Sequence, residues 1–230
     1  MRQVLKLSRK IFELDALEAG KFHLLGKADT IKAERQAIFV CGRYLFDPMT
    51  GELSEYYKLA FQMKQDDLKT GEIFPSEEVI TLGSGPDQKL RVALTTWGFS
   101  NHQNKQRLIN ARSETVEEKP TFRDEFRFHR CLFPMSGFYE WNKDKERLLF
   151  TYPDEREMYV AGLYRIKDGQ VESVILTTAP NAVVEPIHNR MPLIIDKKDA
   201  RDWLENTEKA AVLLHKVDES DLIIHKEAKD

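Results

Sequence analysis

Cysteine is nearly absent from this chain, which has two in 230 residues, Cys41 and Cys131. A single pair cannot form the disulfide framework of a small secreted domain, so a reducing, cytoplasmic setting is expected. There is no CxxC pair and no HExxH. That leaves no metal-ligand pattern, and neither a metal nor a cofactor is expected. No apolar run approaches the roughly 20 residues that a membrane helix needs. The basic start MRQVLKLSRK leads into neither an unbroken apolar stretch nor a small-residue cleavage site, so no signal peptide and no membrane partner are expected. Repeats, low-complexity tracts and internal linkers are lacking after residue 40. A strong charge of either sign is lacking too: the net charge is −3, too acidic for a protein that coats nucleic acid nonspecifically.

What is present fits one ordinary domain. Hydrophobic residues make up 41% of the chain and aromatics 10%, enough to fill a real core at this length. Charge is uneven along it. Residues 99–112 (FSNHQNKQRLINAR) carry Lys105, Arg107 and Arg112 and no acid, which suits a local basic face for a phosphate backbone or, equally, a solvated loop.

Residues 1–39 are rich in basic side chains and carry a loose helical pattern broken at Gly20, with no motif. The apolar run IFVCGRYLF predicts a strand over 38–46, ended by Asp47 and Pro48. Tyr56, Leu59, Ala60 and Met63 have the spacing of a helical core face over 55–67. Strands are predicted at 78–82, 90–97, 131–133, 137–141, 148–152, 158–165, 173–178 and 191–195. Short helices are predicted at 122–128, 197–205 and 208–216, and a helical turn capped by Asn181 at 181–186. Many short strands with scattered helices and no βαβ rhythm predict an α+β fold on antiparallel sheet.

The chemistry concentrates in residues 109–141, read as a polar loop, a short helix and a strand pair. It opens on Asn110 and Arg112 and closes on Glu140, an acid set between Tyr139 and Trp141. A carboxylate between large rings is partly desolvated, which raises its pKa and suits it to passing protons. Two distant stretches, Cys41-Gly42-Arg43-Tyr44 and Ile187-His188-Asn189-Arg190-Met191-Pro192, add a thiol, an imidazole and two guanidinium groups. Each residue also has an ordinary structural reading. His188 could be a capped structural histidine, Asn110 and Arg112 could brace a loop, and Tyr139 and Trp141 could be core with Glu140 exposed between them. Cys131 reads as a small buried apolar residue.

Taken jointly, CGRY, TTWGF, INARSET, KPTF, RCLFPMSGFYEW, AGLY, ILTTAPN and IHNRMP, in that order, resemble the SOS-response-associated peptidase (SRAP) family over residues 40–195. The resemblance implies an α+β fold of curved, largely antiparallel, barrel-like sheets with flanking short helices. It also implies a shallow basic groove that holds single-stranded DNA and captures abasic sites covalently during the SOS DNA-damage response, with lyase activity possible alongside. Separately, a monomer is expected. A ring-opened abasic sugar presents an aldehyde. An N-terminal cysteine offers an α-amine and a thiol two carbons apart, so the amine forms a Schiff base and the thiol closes a thiazolidine. By position, Cys41 is the implied nucleophile and Asn110 orients the amine or the sugar oxygen. Glu140 shuttles protons, His188 acts as acid or base on the sugar side, and Thr177 supports that corner. Arg43, Arg112 and Arg190 are implied as phosphate clamps, and Trp97, Phe138 and Trp141 as stacking surfaces or groove walls.

Two features depart from the family pattern. Cys41 lies behind forty residues, whereas the mechanism needs it first. Val40 precedes it, and a GTG valine codon can serve as a start, so the expectation is a 1–39 extension outside a single 40–230 domain and a mature chain beginning at Cys41. Proteolysis before Cys41, or a fused form that binds DNA without cross-linking, are the alternatives. In addition, Gly71-Glu72-Ile73-Phe74-Pro75 stands where relatives often have an Asn-Val-Ala-Pro-type segment, so one groove contact is expected to differ. Two other functional classes compete: a thiol peptidase with Cys41 attacking an amide and His188 as base, and a plain single-strand-binding module.

Overall fold

The computed structural model describes residues 41–226, apart from 50, 86, 88 and 102–105. The expected 1–39 extension, the first part of the predicted 38–46 strand, and Lys105 lie outside the described residues. The elements in chain order are β1 (Tyr44–Phe46), α1 (Gly51–Lys64), β2 (Gly71–Ile73), β3 (Glu78–Ser84), β4 (Leu90–Trp97) and β5 (Asn110–Arg112). After a 3₁₀ turn at Ser113–Thr115 come α2 (Arg123–Phe128), β6 (Arg130–Met135), β7 (Gly137–Trp141), β8 (Arg147–Thr151), β9 (Met158–Lys167) and β10 (Gln170–Thr178). Then follow β11 (Met191–Pro192), a 3₁₀ turn at Lys197–Asp199, α3 (Ala200–Glu205), α4 (Thr207–Leu213) and β12 (Ile223–Lys226).

The strands form two sheets. One has five strands in the order β12-β8-β7-β1-β2, all antiparallel. In the other, β10, β4, β3, β6 and β9 close into a barrel through the β9–β10 pairing, with β5 and β11 added along β10. The fold is therefore α+β and largely antiparallel. The exceptions are on β10, which runs parallel to both β4 and β5.

Most elements form where hydrophobic period places them. β4 and β7 coincide with the predicted 90–97 and 137–141. Three strands carry too little pattern to be seen in advance. β2 has one buried apolar residue, Ile73, and is held by pairing with Tyr44 of β1. β5 is Asn-Ala-Arg, read above as loop, and is a strand because its backbone completes the β10 ladder, Ile175 opposite Asn110 and Thr177 opposite Arg112. β12 is exposed at every position. The α1 helix starts four residues earlier than the predicted 55, at Gly51, with Glu52 in its first turn, where a carboxylate complements the helix dipole. It ends on Gln65 in the left-handed region (φ 56°), whose N–H returns to the Phe61 carbonyl at 2.7 Å. The predicted 191–195 strand reduces to β11 plus one bridge, Val160 to Ile194.

Two apolar clusters hold this together. One packs the inner face of the five-stranded sheet (Tyr44, Phe46, Phe138, Phe150) against the barrel (Trp97, Phe133, Val160, Ile175). The other packs the barrel (Leu82, Leu132, Leu163, Leu176) against α2, α3 and α4 through Phe126, Trp203 and Leu213. Burying each such side chain contributes roughly 1.5–3 kcal/mol. Arg130, buried at the foot of β6, serves this second cluster. Its guanidinium donates to the carbonyls of Arg127 (2.9 Å) and Leu204 (3.3 Å), satisfying acceptors that the short helices leave open.

Candidate active site around Cys41

Tyr44 and Phe46 point inward from β1, and the chain before them turns so that Cys41 is buried beside β7. Cys41 adopts φ 48°, a left-handed conformation that costs a residue bearing a Cβ about 1–2 kcal/mol. Its backbone N–H donates to Glu140 Oε1 at 2.6 Å. Cys41 is 2% exposed and Glu140 1%. Glu140 faces inward because β7 alternates: Phe138 stacks on Phe150 of β8 with centroids 4.9 Å apart, and the residue two places on must share that face. The ordinary reading holds for Tyr139, which is buried, but not for Glu140, which is buried rather than exposed.

This placement sets the electrostatics. Burial pushes the Glu140 carboxyl up, and the hydrogen bond from Cys41 and the charge of His188 only partly offset it. Burial, followed by the adjoining carboxylate, pushes the Cys41 thiol well up, with Arg190 opposing. A buried carboxyl holding its proton more tightly than usual, against the nitrogen of a cysteine, is a proton donor and acceptor aimed at that nitrogen.

His188 and Arg190 reach this corner from the turn after β10. Asn181 caps the turn as expected, its Oδ1 accepting from Val183 N (3.1 Å) and Val184 N (3.0 Å). The His188 N–H then donates to the Val184 carbonyl at 2.9 Å. Arg190 N donates to His188 Nδ1 at 3.2 Å. The same Nδ1 lies 3.3 Å from the Arg190 carbonyl, a contact in which it is the donor. The Arg190 guanidinium is occupied: it forms a two-pronged pair with Glu114, one prong at 2.9 Å, and donates to the Thr177 carbonyl at 2.6 Å. Arg190, read above as a phosphate clamp, is thus bound to its own chain and ties the His188 turn to β10. Thr177 is buried and donates to the Ala111 carbonyl at 3.4 Å.

The remaining sequence-predicted residues divide. Asn110 and Arg112 are on β5 beside β10, Asn110 half-buried and Arg112 exposed. Trp97 is not a stacking surface. It is fully buried, donates its indole N–H to the Ile109 carbonyl at 3.0 Å, and packs on Tyr44 with centroids 5.4 Å apart. β4 ends inside the barrel core, which the pattern of the strand does not reveal. Phe138 is core as well, and Cys131 is buried as read. Arg43 and Trp141 stand together, but on the outer face of the five-stranded sheet, away from Glu140. The Arg43 guanidinium lies between the rings of Phe74 (4.6 Å) and Trp141 (4.9 Å). It donates to Glu72 Oε1 at 2.9 Å, and Arg147 donates to Glu72 Oε2 at 3.0 Å. Glu72, Phe74 and Arg147 went unremarked as site residues. The departure at residues 71–75 was the one signal that could have found the first two. Among the described residues, no three His, Cys, Asp or Glu side chains gather as metal ligands would.

The scaffold is thus a barrel-and-sheet α+β fold that sets a buried cysteine nitrogen against a buried acid. The profile of the SOS response associated peptidase (SRAP) family matches residues 40–229, and the chain belongs to that family. It is 28% identical over 180 residues to the abasic site processing protein YoqW of Bacillus subtilis, spanning 72% of this chain and 80% of that one. It is 29% identical over 140 residues to the abasic site processing protein YedK of Escherichia coli, spanning 57% of this chain and 63% of that one. Among solved structures, a Bacteroides thetaiotaomicron protein superposes with a TM-score of 0.68 at 21% identity, covering 83% of this chain and 93% of its own. That likeness is one of fold.

Proposed function

We propose that the chain, in a form beginning at Cys41, captures abasic sites in single-stranded DNA as a thiazolidine. The single observation that carries this reading is the 2.6 Å contact between Cys41 N and Glu140 Oε1 in a buried setting. Relatives named as abasic site processing proteins supply the substrate. The nitrogen that is an amide in the full chain is an α-amine once residue 40 is removed, and it stays opposite the same carboxyl. The amine adds to the C1 aldehyde of the opened sugar. Glu140 protonates the departing hydroxyl, water leaves, the carboxylate takes the proton from the nitrogen, and a neutral C=N bond remains. The thiol S–H then adds across that bond, sulfur to carbon and proton to nitrogen. His188 serves the sugar oxygen through Nε2, while Asn110 and Thr177 orient the sugar.

The competing peptidase reading needs a thiolate, and the Cys41 surroundings push the thiol the other way. Capture uses the thiol last and neutral. The test compares the 230-residue chain with the form beginning at Cys41, each incubated with a single-stranded oligonucleotide carrying one abasic site and run on a denaturing gel. A heat-stable shifted band from the Cys41-first form alone is the expected result. Acetylating its α-amine, with the thiol left intact, is expected to abolish the band. A band that survives acetylation overturns the amine-first mechanism in favour of thiol chemistry.

A further inference from the structure

The outer face of the five-stranded sheet carries a second arrangement that the Cys41 site does not use. Strand alternation puts Arg43, Glu72, Phe74, Tyr139, Trp141 and Arg147 on one face, opposite to Tyr44, Ile73, Phe138 and Glu140. One carboxylate, Glu72, bridges two guanidinium groups at 2.9 and 3.0 Å. The Arg43 guanidinium is over the rings of both Phe74 and Trp141, and Arg147 lies over Tyr139 at 5.2 Å. The arginines are 36% and 35% exposed and Glu72 25%, so a ligand can reach all three.

Two stacked guanidiniums converging on a pair of oxygens is the geometry with which arginines hold a phosphate. Beside them the rings of Phe74 and Trp141 are partly exposed and are of the type on which bases stack. We propose that Glu72 occupies the place of a backbone phosphate on this face, and that single-stranded DNA running beyond the Cys41 site displaces it to bind Arg43 and Arg147. Glu72 is then an affinity-setting residue: every phosphate bound there must first break two ion pairs within the chain. Glu72 and Phe74 lie in the segment that departs from the family pattern, so this exchange is a property of the present chain.

The inference rests on the single-strand reading above, and its test is independent of capture. Full-chain protein binds an undamaged oligonucleotide across a salt series. Glu72→Gln is expected to bind roughly three- to tenfold tighter at low salt, with the gain shrinking as salt rises, because screening weakens the two ion pairs that the wild type must break. Inorganic phosphate at matched phosphate concentration is expected not to compete. Unchanged or weaker binding by Glu72→Gln overturns the proposal, and full competition by inorganic phosphate overturns the DNA assignment. Arg147→Ala covers the case in which Glu72→Gln fails to fold. Its binding is expected to weaken severalfold with a shallower slope, and wild-type behaviour counts against the proposal. If the Cys41-first form captures abasic sites while Glu72→Gln changes nothing, this inference fails alone. If capture fails while Glu72→Gln tightens binding, only the capture reading fails.

Discussion

Glu140 and Glu172 are both almost fully buried, at 1% and 2% exposure, on strands of adjoining sheets, and their surroundings send them in opposite directions. Glu172 on β10 receives Arg107 at 2.9 Å, Arg165 at 2.8 Å and the Ser100 N–H at 3.0 Å. These partners outweigh its burial and hold its carboxyl below the usual range. Glu140 has hydrogen bonds from the Cys41 thiol and from the N–H groups of Cys41 and Trp141, with the charge of His188 nearby, and burial wins. A buried acid with two guanidiniums is a fixed counter-ion. A buried acid with hydrogen bonds but no guanidinium on it holds its proton more tightly and is suited to exchanging it. Partners, more than burial, separate scaffold from site.

The largest expected effect comes from Glu140→Gln, which keeps the shape and removes the exchangeable proton. Cross-linking by the Cys41-first form should fall by about 10²–10⁴, the range for a lost general acid–base, without a lower melting temperature. A variant that cross-links normally removes Glu140 from the mechanism. Glu172→Ala tests the other side. It leaves Arg107 and Arg165 unpaired, but both are partly exposed (27% and 19%), so the cost is discounted for solvent to about 1–3 kcal/mol by chemical denaturation. Cross-linking by the folded fraction should persist.

The smallest effect is in the pH dependence of stability, where the signs are opposed. The folded-state pKa of Glu172 is depressed, so its contribution is present above the unfolded carboxylate value of about 4.3 and is lost as pH falls through the folded value. The deficit of Glu172→Ala should therefore vanish in acid. The folded-state pKa of Glu140 is raised, so its contribution is present below about 4.3 and lost as pH rises through the folded value. Glu140→Gln should thus gain on wild type as pH rises. Denaturation series of both variants between acid and neutral pH check this, and parallel profiles would erase the difference between the two acids.

Much of the fold was legible in the sequence because most strands bury an apolar face that writes its period into the chain, as in 90–97 and 137–141. β5 was not, since Asn-Ala-Arg has no such face and its strand character comes from the β10 backbone. The site was legible as a set of motifs, Cys41, Glu140 and the His188 turn, because chemistry restricts residue type. Direction and exposure were not. Trp97 looked available for stacking and is fully buried. Arg190 looked free to clamp a phosphate and is held by Glu114 and Thr177, and Arg43 turned out to face away from Glu140.

The sequence by itself determined the family, the α+β class and which residue types could do chemistry, since periodicity and motif order are properties of the chain alone. Only the tertiary structure decided which buried carboxylate has guanidinium partners and which does not, and which arginines are already paired. A pKa and an ion pair depend on what lies within a few ångströms, and those neighbours come from distant parts of the chain, 99 residues apart for Cys41 and Glu140.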